Sequence, residues 1–152
     1  MSQTVQSLKA LFERDLNSLK KELMAYEDES QLWIVQGGIS NSAGNLVLHL
    51  CGNLKHFIGA VLGGSGYIRE RDKEFNDKNV PRAEMAASID ETLEIVLKTL
   101  DSLDDAALAK IYEVRVFNDK PITTNIFLLH LSGHLMYHLG QINYHRRLLT
   151  AQ

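Results

Sequence analysis

The segment LVLHLCGNLKHFIGAVL, residues 46–62, constrains the fold of this chain more than any other stretch. Nearly every position in it is apolar, and its polar residues are two histidines, one asparagine and one lysine. Asn41 or Ser42 can cap a helix that runs through the segment, and the GGSG sequence at 63–66 ends that helix. A helix that is apolar almost all round must be surrounded by other elements. We therefore expect this helix to lie at the centre of the protein.

Three further stretches have the periodicity of amphipathic helices. Apolar residues recur at steps of three and four over residues 5–26 and 85–100, with charged residues between them. A last helix is predicted to begin at Thr123 or Thr124 and to continue to about Leu149. The four long helices are joined by connections of unequal length. They predict an all-α chain, and we expect a four-helix bundle.

The stretch IYEVRVFNDKPITT, residues 111–124, breaks the helical periodicity just before the last helix. Tyr112, Val114 and Val116 alternate with charged residues, which is typical of a β-strand with one buried face. Asn and Asp at 118–119 supply a turn. The sequence therefore predicts a small β-hairpin as an insertion in the bundle.

Length, charge and cysteine content limit the organisation and the partners. The chain has 152 residues, a formal net charge of −3 and one cysteine, Cys51. That length suits one domain, residues 1–152. The lack of a basic excess argues against nucleic acid as a partner, and the interrupted apolar stretches argue against a membrane span. With a single cysteine and no secretory signal, we expect a cytoplasmic protein.

The histidines of the central and last helices fall into a geometric pattern. Residues four apart in a helix lie nearly above one another, so His134 and His138 share a face of the last helix. If the central helix packs beside it, His49 meets this pair across the interior, where bundle proteins commonly hold metals. Three imidazoles with one open coordination position are typical of a catalytic metal site. Cys51 points about 200° away from His49 and is excluded from such a site.

Four other polar residues belong to the neighbourhood of these histidines. His56 lies two turns, about 10 Å, from His49, too far for both to bind one ion, so we place it in the pocket or in contact with a ligand. His130 lies one turn before His134. Gln141 shares the side of His138 and would orient that ligand or make a structural hydrogen bond. Asn45 precedes His49 by four residues, where its side-chain carbonyl could hold the imidazole.

Periodicity alone leaves two interpretations of these histidines open. A histidine on an apolar helix is often a hydrogen-bonded core residue, but several buried imidazoles without partners or a metal would be costly. Two specific metal sites are excluded by the sequence. A zincin requires His-Glu-x-x-His, whereas Leu135 follows His134, and a ferritin-like di-iron site requires Glu-x-x-His, which is absent. A mononuclear site is the metal site that fits.

Two of these segments also carry a family resemblance. LVLHLCGNLKHFIGAVLGG, followed late in the chain by HLMYHLGQINYHRRLL, resembles the DinB-like (YfiT-like) superfamily of metalloenzymes, and the helix order is similar over essentially the whole chain. The resemblance implies an up-down-down-up four-helix bundle, often dimeric, that holds a divalent metal. Matched position by position, its ligands are His49, His134 and His138. Some relatives are transferases or isomerases that depend on a low-molecular-weight thiol such as bacillithiol or mycothiol.

The leading hypothesis is therefore a metal-dependent enzyme whose site activates water or a thiol. It would be an S-transferase dependent on a low-molecular-weight thiol or a related hydrolase, with zinc or nickel, or else iron or manganese, as cofactor. The competing hypothesis is a non-catalytic bundle that binds a metal or a ligand in a structural or stress-response role. We expect a homodimer and a small-molecule substrate, the low-molecular-weight thiol being one candidate.

Overall fold

The computed structural model describes residues 2–150, and most of them are helical. The α-helices are α1 (Gln3–Ala25), α2 (Ala43–Leu54), α3 (Arg71–Asn76), α4 (Arg82–Asp101), α5 (Asp105–Ala109) and α6 (Thr124–Thr150). A 3₁₀ helix, Glu29–Trp33, lies between α1 and α2, and a π-helical segment, Lys55–Leu62, continues α2. The all-α class predicted from the sequence is confirmed.

The two N-terminal helix caps show why α1 and α2 begin where they do. The hydroxyl of Ser2 accepts hydrogen bonds from the backbone N–H groups of Thr4 and Val5. The hydroxyl of Ser42 accepts from the N–H of Asn45 and starts α2, so Ser42 rather than Asn41 is the cap. Each cap satisfies a backbone donor that the first turn of a helix leaves free.

The four long elements pack around a continuous apolar core. Helix α1 contacts α4 and α6, and α2 contacts α6, α4 and the short helix α3. All but one of the residues of α2 are buried, which agrees with its nearly uniform apolar sequence. Within residues 2–150, none of the helices is long and apolar enough to cross a membrane. The α2–α6 contact is the one that positions the histidines.

The end of the central helix differs from a simple α-helix. Residues Lys55–Leu62 form π-helical turns, in which backbone hydrogen bonds span five residues instead of four. Within this segment, the carbonyl of Phe57 also accepts a hydrogen bond from the hydroxyl of Tyr112, at 2.7 Å. Residues after Leu54 therefore no longer follow the α-helical register that sequence periodicity assumes.

The segment before α6 contains two isolated antiparallel bridges and, among the described residues, no regular strand. The bridges join Ile111 to Thr123 and Phe117 to Lys120. Asn and Asp at 118–119 both have positive φ, 46° and 60°, as expected for the predicted turn. The rings of the segment turn onto the helices, because Tyr112 is buried and Phe117 packs on α6. These contacts replace the ladder that a full hairpin would have.

Candidate metal centre

Three histidine side chains from α2 and α6 converge at the interface of these helices. The Nε2 atom of His134 lies 3.2 Å from Nε2 of His49 and 3.2 Å from Nε2 of His138. One nitrogen from each ring falls within a cluster whose members are all within 4.8 Å of one another. The structure thus brings together the three residues that the sequence selected, one from α2 and two from successive turns of α6.

Hydrogen bonds at the far side of two rings determine which nitrogen carries the proton. Nδ1 of His49 donates to a carboxylate oxygen of Glu74 at 3.0 Å, and Nδ1 of His138 donates to the amide oxygen of Gln141 at 2.7 Å. Both acceptors can only accept. In the neutral rings, the Nε2 atoms of His49 and His138 therefore present lone pairs to the cluster. This arrangement of a ligand ring held by an outer acceptor is typical of metal-binding histidines.

His134 lies between these two lone pairs and cannot satisfy both. Its Nδ1 is buried without a hydrogen-bond partner. With a proton on Nε2 the ring donates to one neighbour and faces the lone pair of the other; with the proton on Nδ1, three lone pairs face one another. Burial, followed by the effects of His138 and His49, lowers the pKa of His134 to about 4. The ring is therefore neutral at pH 7, the state in which imidazole binds metals.

A divalent cation fits this donor set. Two nitrogens bound tetrahedrally to zinc at about 2.0–2.1 Å lie about 3.3–3.4 Å apart, close to the 3.2 Å separations around His134. Three neutral imidazoles leave a further coordination position open for water or a substrate atom. Imidazole ligands suit zinc, nickel, copper and iron alike, so the donor set does not select the ion.

Glu74 of α3 is the main site residue that sequence reasoning missed. Its buried carboxylate also accepts two hydrogen bonds from Arg69, both at 2.9 Å. Burial opposes its ionisation, but the hydrogen bonds from His49 and Arg69 outweigh that effect and lower the pKa of Glu74 below its ordinary value. The carboxylate therefore stays charged at pH 7 and orients His49. Because it contacts Nδ1, it lies on the side of the His49 ring that faces away from the other two histidines.

A glycine in α2 is the sequence signal that could have revealed this contact. Gly52 follows His49 by three residues, and a Cβ atom there would overlap the carboxylate of Glu74. Glycine inside a helix is unfavourable by about 0.5–1 kcal/mol relative to alanine, and a close approach by another group is one reason for its presence. The sequence does not show which group that is.

Asn45 contacts the segment that carries Glu74 rather than the His49 ring. Its side-chain amide donates to the backbone carbonyls of Glu74 and Asp77, both at 2.9 Å. Its side-chain oxygen accepts from the hydroxyl of Ser42 at 2.7 Å. The predicted contact with the imidazole is thus replaced by a contact that anchors α3 on α2. The reason is that α3 occupies this face of α2, which periodicity could not show.

The remaining predicted residues lie around the cluster without joining it. Gln141 holds His138, as described above. The His130 ring packs edge-on against Phe117, with 4.6 Å between centroids, and lies 6.3 Å from the His134 ring. His56 lies in the π-helical segment, half-buried against Phe57, where burial and then Arg69 lower its pKa.

His145, the last histidine of the HLMYHLGQINYH segment, has a different role. Its Nε2 donates to the carbonyl of Ile34 at 2.9 Å, and its Nδ1 therefore accepts from the hydroxyl of Tyr26 at 2.7 Å. The ring connects α6 to the chain that leaves α1. Helical periodicity does not reveal this connection, which depends on contacts more than a hundred residues apart in sequence.

A cavity of about 550 Å³ reaches the cluster at His138, between the loop before α2 and the C-terminal half of α6. The ring nitrogens, the cavity and the outer hydrogen bonds together form a site able to hold a metal ion beside a space for a small molecule.

No curated protein matches the chain. The family described as "Protein of unknown function (DUF1572)" matches residues 1–152. The chain is therefore a member of the DUF1572 family.

Proposed function

We propose that the protein is a metal-dependent enzyme with a mononuclear three-histidine site. The observation that carries the proposal is the convergence of the His49, His134 and His138 Nε2 atoms, two of them with lone pairs fixed toward the third. Among neutral rings that face each other in this way, at least one Nε2 lone pair lacks a partner unless a cation is bound. Zinc and nickel are the first candidates for that cation, followed by iron and manganese.

The proposed architecture is the up-down-down-up four-helix bundle of the DinB-like superfamily. Its support is the packing of α1, α2, α4 and α6 around one core, with a histidine of the second long helix facing two of the last. Residues 111–123, with their two antiparallel bridges, would be the insertion before the last helix. A cytoplasmic setting, which the single cysteine favours, belongs to the same proposal.

The chain's own residues have separable tasks in this proposal. A bound divalent ion would lower the pKa of a water molecule or thiol and so supply a nucleophile near pH 7. Glu74 and Gln141 keep the rings of His49 and His138 in the ligand tautomer. The cavity beside His138 would receive the substrate. In a thiol transfer, the sulfur forms a bond to an electrophilic carbon of the acceptor, a leaving group departs from that carbon, and the thiol proton passes to solvent.

Metal binding is tested first, on protein purified without a histidine tag. We expect close to one equivalent of divalent metal by elemental analysis, or by calorimetric titration of metal-free protein with zinc or nickel. His49→Ala, His134→Ala and His138→Ala should each abolish stoichiometric binding, whereas His56→Ala is a matched control from the same part of the fold. Full occupancy in any of the three variants would contradict the assignment of that ligand.

Activity is tested next with the metal-loaded protein. Bacillithiol or mycothiol is combined with monobromobimane, and the rate of bimane thioether formation is compared with the rate without protein. The competing function is a non-catalytic bundle in which the metal only stabilises the fold. That function predicts that metal removal lowers the melting temperature while no thiol or hydrolytic substrate gives a rate above background.

A homodimer is the proposed assembly. Three half-exposed apolar side chains, Ile126, Leu129 and Met136, lie on one face of α6 together with Gly133. Such a face on a helix surface is typical of a protein–protein contact. Sedimentation equilibrium should give twice the mass of 17.1 kDa. Leu129→Glu should shift the protein toward the monomer, and a monomeric wild type would exclude the dimer.

A further inference from the structure

The cavity beside His138 has a distinct chemical character. Its walls come from the loop before α2, the first turn of α2 and the last four turns of α6. Ile39, Leu46, Leu148 and Leu149 give it an apolar surface, and the rings of Tyr137 and Tyr144 stand near its mouth. A volume of about 550 Å³ is in the range of sites that take small organic molecules.

Charged side chains are missing from this lining. Among the described residues, none of the aspartates, glutamates, lysines or arginines contributes to the cavity wall. Of the neighbouring cations, Arg146 pairs with Glu22 of α1, and Arg147 is not part of the wall, although its guanidinium lies 5.5 Å from the Tyr144 ring centroid. A ligand carboxylate placed in the apolar part of the cavity would therefore find no opposite charge.

The polar side chains of the cavity wall come from both of its sides: Gln36, Ser40 and Asn41 from the loop, and His138, Gln141 and His145 from α6. Gln141 accepts from His138 through its amide oxygen, so its amide nitrogen remains a donor. The cavity thus has one end that can hydrogen-bond an oxygen atom of a ligand next to the histidine cluster. The side chains of Ile39, Leu46 and Leu149 in the same wall offer only apolar contact.

We propose that this cavity binds an uncharged, largely apolar small molecule whose polar end lies beside His138 and Gln141. This inference rests on the proposed function, and it names the class of substrate for that site. It disfavours a ligand that carries further carboxylates along its length, because a carboxylate buried without a partner costs binding free energy. A thiol with several acidic groups would accordingly have to bind with those groups outside the cavity.

The test uses three hydroxamates that share the same metal-binding head. Acetohydroxamate has no tail, octanohydroxamate has an uncharged tail, and suberic acid monohydroxamate has a tail of the same length that ends in a carboxylate. Zinc loading is measured first, and calorimetry then gives the dissociation constant of each compound with zinc-loaded protein. We expect octanohydroxamate to bind at least about tenfold more tightly than either of the other two.

A charge placed at the mouth of the cavity provides the matched variant. Leu148 is 63% exposed, so Leu148→Lys should fold normally. It should narrow the preference for octanohydroxamate over the carboxylated compound to about threefold, as expected for an exposed ion pair. Met24→Lys, at a 52% exposed site on α1 outside the cavity, is the control and should leave the preference unchanged.

The outcomes separate the two proposals. If zinc and acetohydroxamate bind but the uncharged tail brings no advantage over the carboxylated one, the inference about the cavity is wrong and the metal site stands. An unchanged preference in Leu148→Lys would also overturn the inference, because the tail would then lie elsewhere. If zinc does not bind, the metal titration itself shows that the proposed function has failed, and the inference fails with it.

Discussion

The Nδ1 atom of His49 in α2 donates to Glu74 in α3 across 3.0 Å, and both side chains are buried. The same carboxylate accepts from Arg69, so the imidazole is held by a charged pair rather than by a single acceptor. This contact fixes the ring so that its Nε2 faces α6. The short helix α3, which lies outside the four long helices, thereby contributes to the geometry of the histidine cluster.

Glu74→Gln should weaken metal binding without abolishing it. The amide retains the size of the side chain but removes the negative charge that favours the His49 tautomer and raises its basicity as a ligand. Loss of such an outer partner typically reduces metal affinity by about 10- to 100-fold. The measurement is a competition titration against a zinc chelator at pH 7.

Glu70→Gln is the matched control for that experiment. Glu70 is four residues away, is exposed and pairs with Lys73 on the surface. The affinity of the Glu70→Gln variant for zinc should equal that of the wild type. Equal affinities in both variants would show that Glu74 does not orient His49.

Gly52→Ala and Gly133→Ala should change stability in opposite directions. The new methyl group at Gly52 overlaps the Glu74 carboxylate, whereas a Cβ at Gly133 meets nothing within 4 Å. We expect Gly52→Ala to lower the free energy of unfolding by about 1–3 kcal/mol and to weaken zinc binding. Gly133→Ala should raise it by about 0.5–1 kcal/mol through helix propensity. Urea unfolding measures both, and a stabilised Gly52→Ala would be inconsistent with the close approach.

Tyr26→Phe should destabilise the connection between α6 and the chain that follows α1. The variant removes the donor to Nδ1 of His145 and leaves that nitrogen without a partner at a part-buried site. The expected loss is about 1 kcal/mol in the free energy of unfolding. Tyr144 is 67% exposed, and Tyr144→Phe should change the free energy of unfolding by no more than about 0.5 kcal/mol. Thermal unfolding of the two variants side by side would show whether only the buried hydroxyl matters.

The ion pair between Glu22 of α1 and Arg146 of α6 predicts a pH dependence of stability. Burial opposes ionisation of Glu22, but hydrogen bonds from Arg146 and Asn143 together outweigh it and lower its pKa below the ordinary value of 4.5. The folded state therefore binds this proton less readily than the unfolded state. Its contribution is fully present above about pH 4.5 and is lost as the pH falls through the lower pKa of the folded state.

Glu22→Gln should consequently differ from the wild type most at neutral pH. We expect it to be less stable there by about 1 kcal/mol, with the difference shrinking as the pH falls below 4.5. Glu13→Gln, at an exposed position of the same helix, is the control. Urea unfolding at several pH values provides the comparison, and a difference that grows on acidification would contradict the pairing.

Metal addition should stabilise the folded chain by mass action. At a free zinc concentration of about one hundred times the dissociation constant, the gain in unfolding free energy is about 2.7 kcal/mol. His134→Ala should show none of this gain, while His130→Ala, one turn away and outside the cluster, should keep it. A gain that persists in His134→Ala would place the bound zinc elsewhere on the chain.

Local periodicity was enough to determine the all-α class, the approximate extents of the long helices and the faces that carry His49, His134 and His138. These features depend on rotation per residue along one helix, which any stretch of sequence reveals. The change to π-helical turns after Leu54 is not visible in the sequence, because the same apolar side chains are compatible with both kinds of turn. For the segment before α6, the sequence predicts the turn at 118–119 correctly, but it does not show that the flanking residues form only isolated bridges.

Only the tertiary structure decided which groups surround the histidines. Glu74, Arg69 and the Tyr26–His145 contact join segments that are far apart in the chain and share no period, so their pairing depends on how the helices pack. Asn45 was selected for its spacing from His49, yet α3 occupies that face and takes its hydrogen bonds. The sequence by itself determined which histidines share a face of a helix. Packing of α2, α3 and α6 decided that these faces meet, and which charged group holds them there.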